Sequence, residues 1–304
     1  MQDPKEYKVQ AGTTELCVYE WAGDGDTVLL FHATGFHSRC WDEVVRRLPG
    51  RHVIAVDVHF HGKSSEANTF DWKLFADEMC LLIQKLDLNN IVGVGHSMGG
   101  HLICRAAAAL PHLFTQLVLV DPVVMSRSQY AYMQADQQEI NVADHPVARR
   151  KNNWRDPEEM FQRFEERAPF NTWTRECLRD YCEHALEPVT NNADTENDSR
   201  QLACLPVSEA SFYLSTSGGE TVLDCLPLIT MPASVLRAPG TEKFNGDFSS
   251  SPTWPGLADA MPKCRDVYLP DNNHFIPMQN PELVASYIQE ALDNTWQDNQ
   301  QSQN

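Results

Sequence analysis

Short apolar runs alternate with stretches of helical spacing over the first 122 residues of this 304-residue chain, and that rhythm leaves few folds open. Val28-Leu29-Leu30-Phe31 is an apolar run ending in a loop, the pattern of a strand buried on both faces. Apolar residues from Trp41 to Leu48 recur at helical spacing until Pro49-Gly50 stops them. A strand is expected from Val53 to Val56, an amphipathic helix from Phe70 to Leu86, and a strand from Ile91 to Val94 that ends in Gly95. Met98 to Leu110 is small and alanine-rich, a helix able to pack closely on its neighbours, and Pro111 follows it. Leu117 to Val120 reads as a further strand, closed by Asp121-Pro122. Strands separated by helices imply right-handed crossovers and a parallel sheet.

The character then changes. From about Ser126 to Ser217 no buried strand is evident, and residues 158–186 carry helical signals. The stretch TNNADTENDSRQ is almost free of apolar residues and reads as a mobile loop. Strand and helix resume from Ala233 to Leu236, from Val267 to Leu269, and in a closing helix from Pro281 to Leu292, before a tail, TWQDNQQSQN, expected to fray. The simplest organisation is a core of residues 1–122 and 228–304 with a helical insertion at 123–227. No internal repeat is evident.

Composition narrows the function. Lys and Arg number 24 against 42 Asp and Glu, a formal net charge of −18, which would repel nucleic acid phosphates and anionic lipid surfaces. No apolar run approaches the ~20 residues of a membrane helix. The polar start, MQDPKEYKVQ, lacks the apolar stretch of a signal peptide. The nine cysteines are scattered with no C-x2-C pair, so they read as reduced, structural thiols in a cytoplasmic setting, with no metal site. The sequon Asn197-Asp198-Ser199 is then a chance match.

The chemistry-bearing signal is Gly95-His96-Ser97-Met98-Gly99, a G-x-S-x-G motif between an apolar strand and an alanine-rich helix, the context the motif requires. The glycines allow a turn sharp enough to lift the Ser97 hydroxyl above the sheet edge, where the following helix points free N–H groups at developing negative charge. A nucleophilic serine needs a base, and His274 stands just after the last expected strand, in LPDNNHF.

With these residues in that order, the chain resembles the α/β-hydrolase family of serine esterases. The resemblance covers residues 15–122 and 228–292, and residues 123–227 by topology only. It implies a mostly parallel sheet flanked by helices, with a helical cap inserted after the sixth strand. It gives His274 the part of taking the serine proton and returning it to the leaving group. Phe31-His32-Ala33-Thr34-Gly35 is similar to the family's oxyanion loop, with Ala33 where a glycine is usual. The Thr34 and Met98 N–H groups would hold the oxyanion, with Phe36 as an alternative donor; a donor of this kind supplies about 3–4 kcal/mol. Because alanine avoids positive φ, Ala33 leaves the shape of this loop open.

The acid member has two possible places in this family. Asp121, ending the run LVLVD, fits the first; Glu242 in LRAPGTEKF fits the second, with Asp247 as a further candidate there. Asp57-Val58-His59-Phe60-His61-Gly62-Lys63-Ser64 resembles a scaffold loop of the family, and His32 reads as a pin for its own loop. Arg149, Arg150, Trp154 and Trp173 could line a pocket or clamp a carboxylate, or equally form the insertion's own salt bridges and core, so no role is assigned to them. The expectation is a serine hydrolase with no cofactor, acting on a small to medium carboxylic ester or lactone. C–C bond hydrolysis or peracid formation on the same triad, and a non-catalytic binding module, are the alternatives. Epoxide hydrolases and haloalkane dehalogenases of this fold carry an aspartate where Ser97 stands.

Overall fold

The computed structural model describes residues 3–66, 69–136, 141–189, 199–215, 218–240 and 250–296. Six strands come first: β1 (Lys5–Ala11), β2 (Thr14–Trp21), β3 (Asp24–Phe31), β4 (Arg51–Val56), β5 (Ile91–His96) and β6 (Phe114–Val120). An insertion follows with three short strands, β7 (Asn153–Trp154), β8 (Leu186–Pro188) and β9 (Arg200–Leu202). The chain then returns through β10 (Ala233–Arg237) and β11 (Cys264–Tyr268). The main sheet has eight strands in the order β1-β2-β4-β3-β5-β6-β10-β11. The β1–β2 and β2–β4 pairings are antiparallel, whereas β4-β3-β5-β6-β10-β11 is parallel throughout.

Register places the functional loops side by side. Phe31 pairs with Gly95, His96 with Val120, and Val120 with Leu236, so the carboxyl ends of β3, β5, β6 and β10 lie level. In an open α/β sheet that edge is where ligands bind.

Period-two alternation sorts the strand residues onto two faces. Leu29, Phe31, Ile54 and Val56 meet Phe75, Met79, Leu82, Leu102 and Ile103 of the helices Trp72–Lys85 and Met98–Ala109. Val28, Leu30, Val53, Ala55, Val92 and Val94 meet Trp41, Val44, Leu48 and Ile288 on the other face. Each such side chain, fully buried, stabilises by about 1.5–3 kcal/mol before entropy is counted. Asp71 caps the first of these helices, its carboxylate accepting from the Lys73 and Leu74 N–H groups.

Three expectations need amendment. The β1–β2 hairpin was not anticipated: as an edge strand KEYKVQA stays largely exposed and reads as polar. The insertion is not purely helical. Its helices Arg127–Asp136, Pro157–Phe164, Arg175–His184 and Pro206–Leu214 are accompanied by the sheet β7-β9-β8, whose strands of two or three residues are too short for a periodic signal. The start of the tail is packed, Trp296 Nε1 donating to the Ala233 carbonyl at 3.2 Å, and residues 297–304 lie outside the described residues.

Trp154, Phe161, Trp173 and Tyr181 of the insertion share a core with Cys40, Phe275 and Met278, so its packing is continuous with the sheet domain. Most of the polar stretch TNNADTENDSRQ, and the sequon with it except Ser199, lies outside the described residues. All nine cysteines are unbridged. No helix among the described residues is long and apolar enough to cross a membrane.

Candidate active site

Ser97 follows β5 and caps the helix Met98–Ala109 with φ 56° and ψ −117°, a strained geometry that costs on the order of 1–3 kcal/mol. The glycines on either side make it possible. A Cβ on Gly95 would lie 2.3 Å from the Gly99 carbonyl oxygen, and one on Gly99 would lie 2.1 Å from that of Phe31. The backbone is pinned as well: Ser97 N donates to Val120 O at 3.1 Å, and Ser97 O accepts from Val123 N at 2.9 Å.

His274 meets this serine across 177 residues of sequence and Asp121 across 153. His274 Nδ1 donates to Asp121 Oδ2 at 2.6 Å, which leaves Nε2 to accept from Ser97 Oγ at 3.0 Å. All three residues are buried. Asp121, at φ 42°, follows β6 directly. Its other oxygen, Oδ1, accepts from Ala238 N at 3.0 Å and Ser251 Oγ at 2.6 Å, with Thr253 Oγ1 at 3.4 Å. Ser251 and Thr253 escaped the sequence reading, since nothing local marks a partner 130 residues away. His96 was visible only as part of the motif. Its Nε2 donates to the His274 carbonyl at 2.8 Å and holds that loop against β5. Glu242 and Asp247 lie outside the described residues.

In the loop after β3 the left-handed residue is Gly35, with φ 80°, and Ala33 needs no positive φ. The question raised by Ala33 is thereby answered: the turn is made two residues later. Gly35 N donates to His61 Nε2 at 2.9 Å and Phe36 N to Ala33 O at 3.2 Å, so the alternative donor is already engaged. No acceptor among the described residues takes the N–H of Thr34 or Met98.

The histidines of these loops serve as struts. His32 donates to Ala33 O through Nδ1 and accepts from Val58 N, and His61 donates to His59 O. Asp57 receives Ser38 N and Lys63 N. His59 is buried against the Glu78 carboxylate at 2.6 Å.

Burial holds His32 down to about 4 and His101 to about 3, and pushes His37, His61 and His96 well below the ordinary imidazole value. Because the folded values lie below the unfolded one, acidification protonates the unfolded chain first. Stability is therefore full above pH ~6.5 and falls as pH drops toward 4, each imidazole adding up to about 1.4 kcal/mol per pH unit. Asp42, raised to about 6 by burial, and Asp57, Asp180, Glu187 and Glu209, raised by the same cause, favour the folded state on acidification and offset part of this loss. Urea midpoints at pH 7.5, 6.5 and 5.5 should fall steadily; a flat profile would contradict neutral buried imidazoles.

Two cavities open from Ser97. One of about 60 Å³ is walled by Trp72, His101, Met125, Tyr130 and Phe212, room for a short apolar group. The other, about 440 Å³, lies among Thr34, Phe36, His274, Phe275, Arg150 and Glu209, within the size range of small-molecule sites. Of the insertion's candidates, Arg149 pairs with Asp144 at the surface, and Trp154 and Trp173 are buried in the insertion's core. Arg150 alone of the four lines a cavity at the serine.

A family model described as the alpha/beta hydrolase family matches residues 28–287. Esterase Rv0045c of Mycobacterium tuberculosis is 31% identical over 136 residues, 44% of this chain and 45% of that protein. The sn-1-specific diacylglycerol lipase ABHD11 of Danio rerio is 31% identical over 127 residues, 39% of each. The chain thus spans less than half the length of these curated relatives. The crystal structure of E-2-(acetamidomethylene)succinate hydrolase superposes with a TM-score of 0.71 at 21% identity, covering 95% of this chain and 99% of that one, a likeness of fold.

Proposed function

Since the chain belongs to the alpha/beta hydrolase family, we propose that it is a serine hydrolase cleaving a small to medium carboxylic ester or lactone through an acyl-enzyme. The observation that carries this reading is the unbroken hydrogen-bond chain from Ser97 Oγ through His274 to Asp121, at the mouth of two cavities. The names esterase and lipase among its relatives favour the same chemistry.

Ser97 Oγ attacks the ester carbonyl carbon while its proton passes to His274 Nε2. The carbonyl oxygen gains negative charge and is held by the Thr34 and Met98 N–H groups, which no other described acceptor occupies. As the carbon–oxygen bond breaks, the leaving alkoxide takes the proton from His274. A water then gives its proton to Nε2 and attacks the acyl-enzyme, and Ser97 recovers the proton as the acid leaves. Asp121 keeps the imidazole oriented and offsets its transient positive charge. Residues 123–227 act as a cap that roofs the larger cavity, on a core of 1–122 and 228–304.

Intact-mass spectrometry after a fluorophosphonate probe tests the reading. One adduct on the wild-type chain and none on Ser97→Ala is the expected result. No adduct on folded wild-type protein would point instead to a binding module.

A further inference from the structure

The larger cavity holds a charge that the triad does not use. Among the described residues, Arg150 is the one lysine or arginine that lines it, on a chain whose formal net charge is −18. Its guanidinium lies 2.9 Å from Glu209, and the two partners are not equally accessible: the Arg150 side chain is 29% exposed, that of Glu209 only 7%. Glu209 sits behind, accepting from Tyr213 Oη at 3.3 Å and packed so closely on Gly35 that a Cβ there would lie 2.4 Å from its Oε1. The carboxylate thus holds the guanidinium beside the loop after β3, and of these two lining groups the cation is the more exposed.

One carboxylate does not satisfy an arginine. The group carries five N–H donors in a planar fork, and the Nε of Arg150 is buried with no hydrogen-bond partner. A guanidinium paired with an acid at one amino group and unpartnered at Nε keeps donors to spare for the two oxygens of a carboxylate. An apolar ester chain would leave those donors desolvated and unpaired, at a cost.

Resting on the serine hydrolase reading, we infer that the substrate is an ester carrying a second, free carboxylate, which Arg150 binds while Ser97 attacks the ester carbonyl. The wall of the 440 Å³ cavity supplies the anion subsite, and the small apolar cavity takes the uncharged end.

The test compares the mono-4-nitrophenyl esters of succinate, glutarate and adipate with 4-nitrophenyl butyrate, valerate and hexanoate. For at least one chain length the wild type should favour the charged ester in kcat/KM by about 10- to 100-fold, the range of a charge-assisted pair. Arg150→Gln should collapse that ratio through KM, and Arg150→Lys, which keeps the charge without the fork, should retain part of it. Because Arg150→Gln also removes the ion pair with Glu209, its unfolding midpoint is measured alongside.

Titration calorimetry on Ser97→Ala separates this inference from the reading it rests on. That protein should bind monomethyl glutarate more tightly than methyl valerate, and Arg150→Gln added to it should erase the difference, whatever the rate of turnover. Equal binding of both esters, or no binding of the anion at millimolar concentration, would overturn the anion subsite. Fluorophosphonate labelling of Ser97 would then still stand or fall by itself. An equal loss on charged and neutral esters in Arg150→Gln would mark the pair as a structural latch and overturn the subsite as well.

Discussion

Ser97→Ala is expected to lower kcat toward a 4-nitrophenyl ester by about 10⁶-fold, the size of effect seen when the nucleophile of such a triad is removed. The substitution is a clean one. Alanine keeps the Cβ that already sits at φ 56°, so backbone strain is unchanged, and only the hydroxyl and its 3.0 Å hydrogen bond to His274 are lost. The residual rate should reflect the oxyanion donors and the cavity, which remain. A loss of less than tenfold, measured on protein with wild-type stability, would remove Ser97 from the role of nucleophile.

The second large effect belongs to Asp121→Asn, with an expected fall in kcat of about 10⁴-fold. The hydrogen bonds around this residue dictate the reason. Oδ1 faces Ala238 N, a donor that cannot turn away, so the amide oxygen must take that position. The amide NH₂ is then presented to His274 Nδ1, which can no longer donate and becomes the acceptor. The imidazole is forced into the tautomer with its proton on Nε2, where it cannot accept one from Ser97. Asp121→Ala should instead lose stability, by about 1–3 kcal/mol, because the buried Ala238 N–H and Ser251 hydroxyl are left without their acceptor. Near-wild-type turnover by Asp121→Asn would move the acid to Glu242 or Asp247.

The central parallel strands were legible because each is buried on both faces and therefore reads as an uninterrupted apolar run, as in Val28-Leu29-Leu30-Phe31. The serine elbow was legible for a different reason. Its motif is short, and one of its constraints is local: Gly95 is demanded by a backbone approach within the turn, and Gly99 by one to β3. The edge hairpin β1–β2 and the insertion's short strands carried neither signal. Edge positions tolerate polar residues, and a strand of two residues has no period.

The resemblance to the family supplied the places where the triad acid can stand, but the sequence left Asp121, Glu242 and Asp247 open. The structure sets Asp121 2.6 Å from His274, within a cradle of Ala238, just after β10, and the segment at 251–253, while Glu242 and Asp247 lie outside the described residues. In the loop after β3, whose shape Ala33 had left open, it puts the left-handed residue at Gly35 and engages the N–H of Phe36 with Ala33 O.

By itself, the sequence determined what short-range physics controls. Apolar periodicity set the parallel core, and steric demand within a few residues set the turn that carries Ser97. Which carboxylate reaches His274, and which of two neighbouring arginines faces the cavity, depend on contacts between separate segments of the chain, as where Asp121 meets His274 across 153 positions and Arg150 meets Glu209. Such contacts leave no local mark on the chain, because hydrogen bonding and burial are satisfied only once the sheet has brought its loops to one edge.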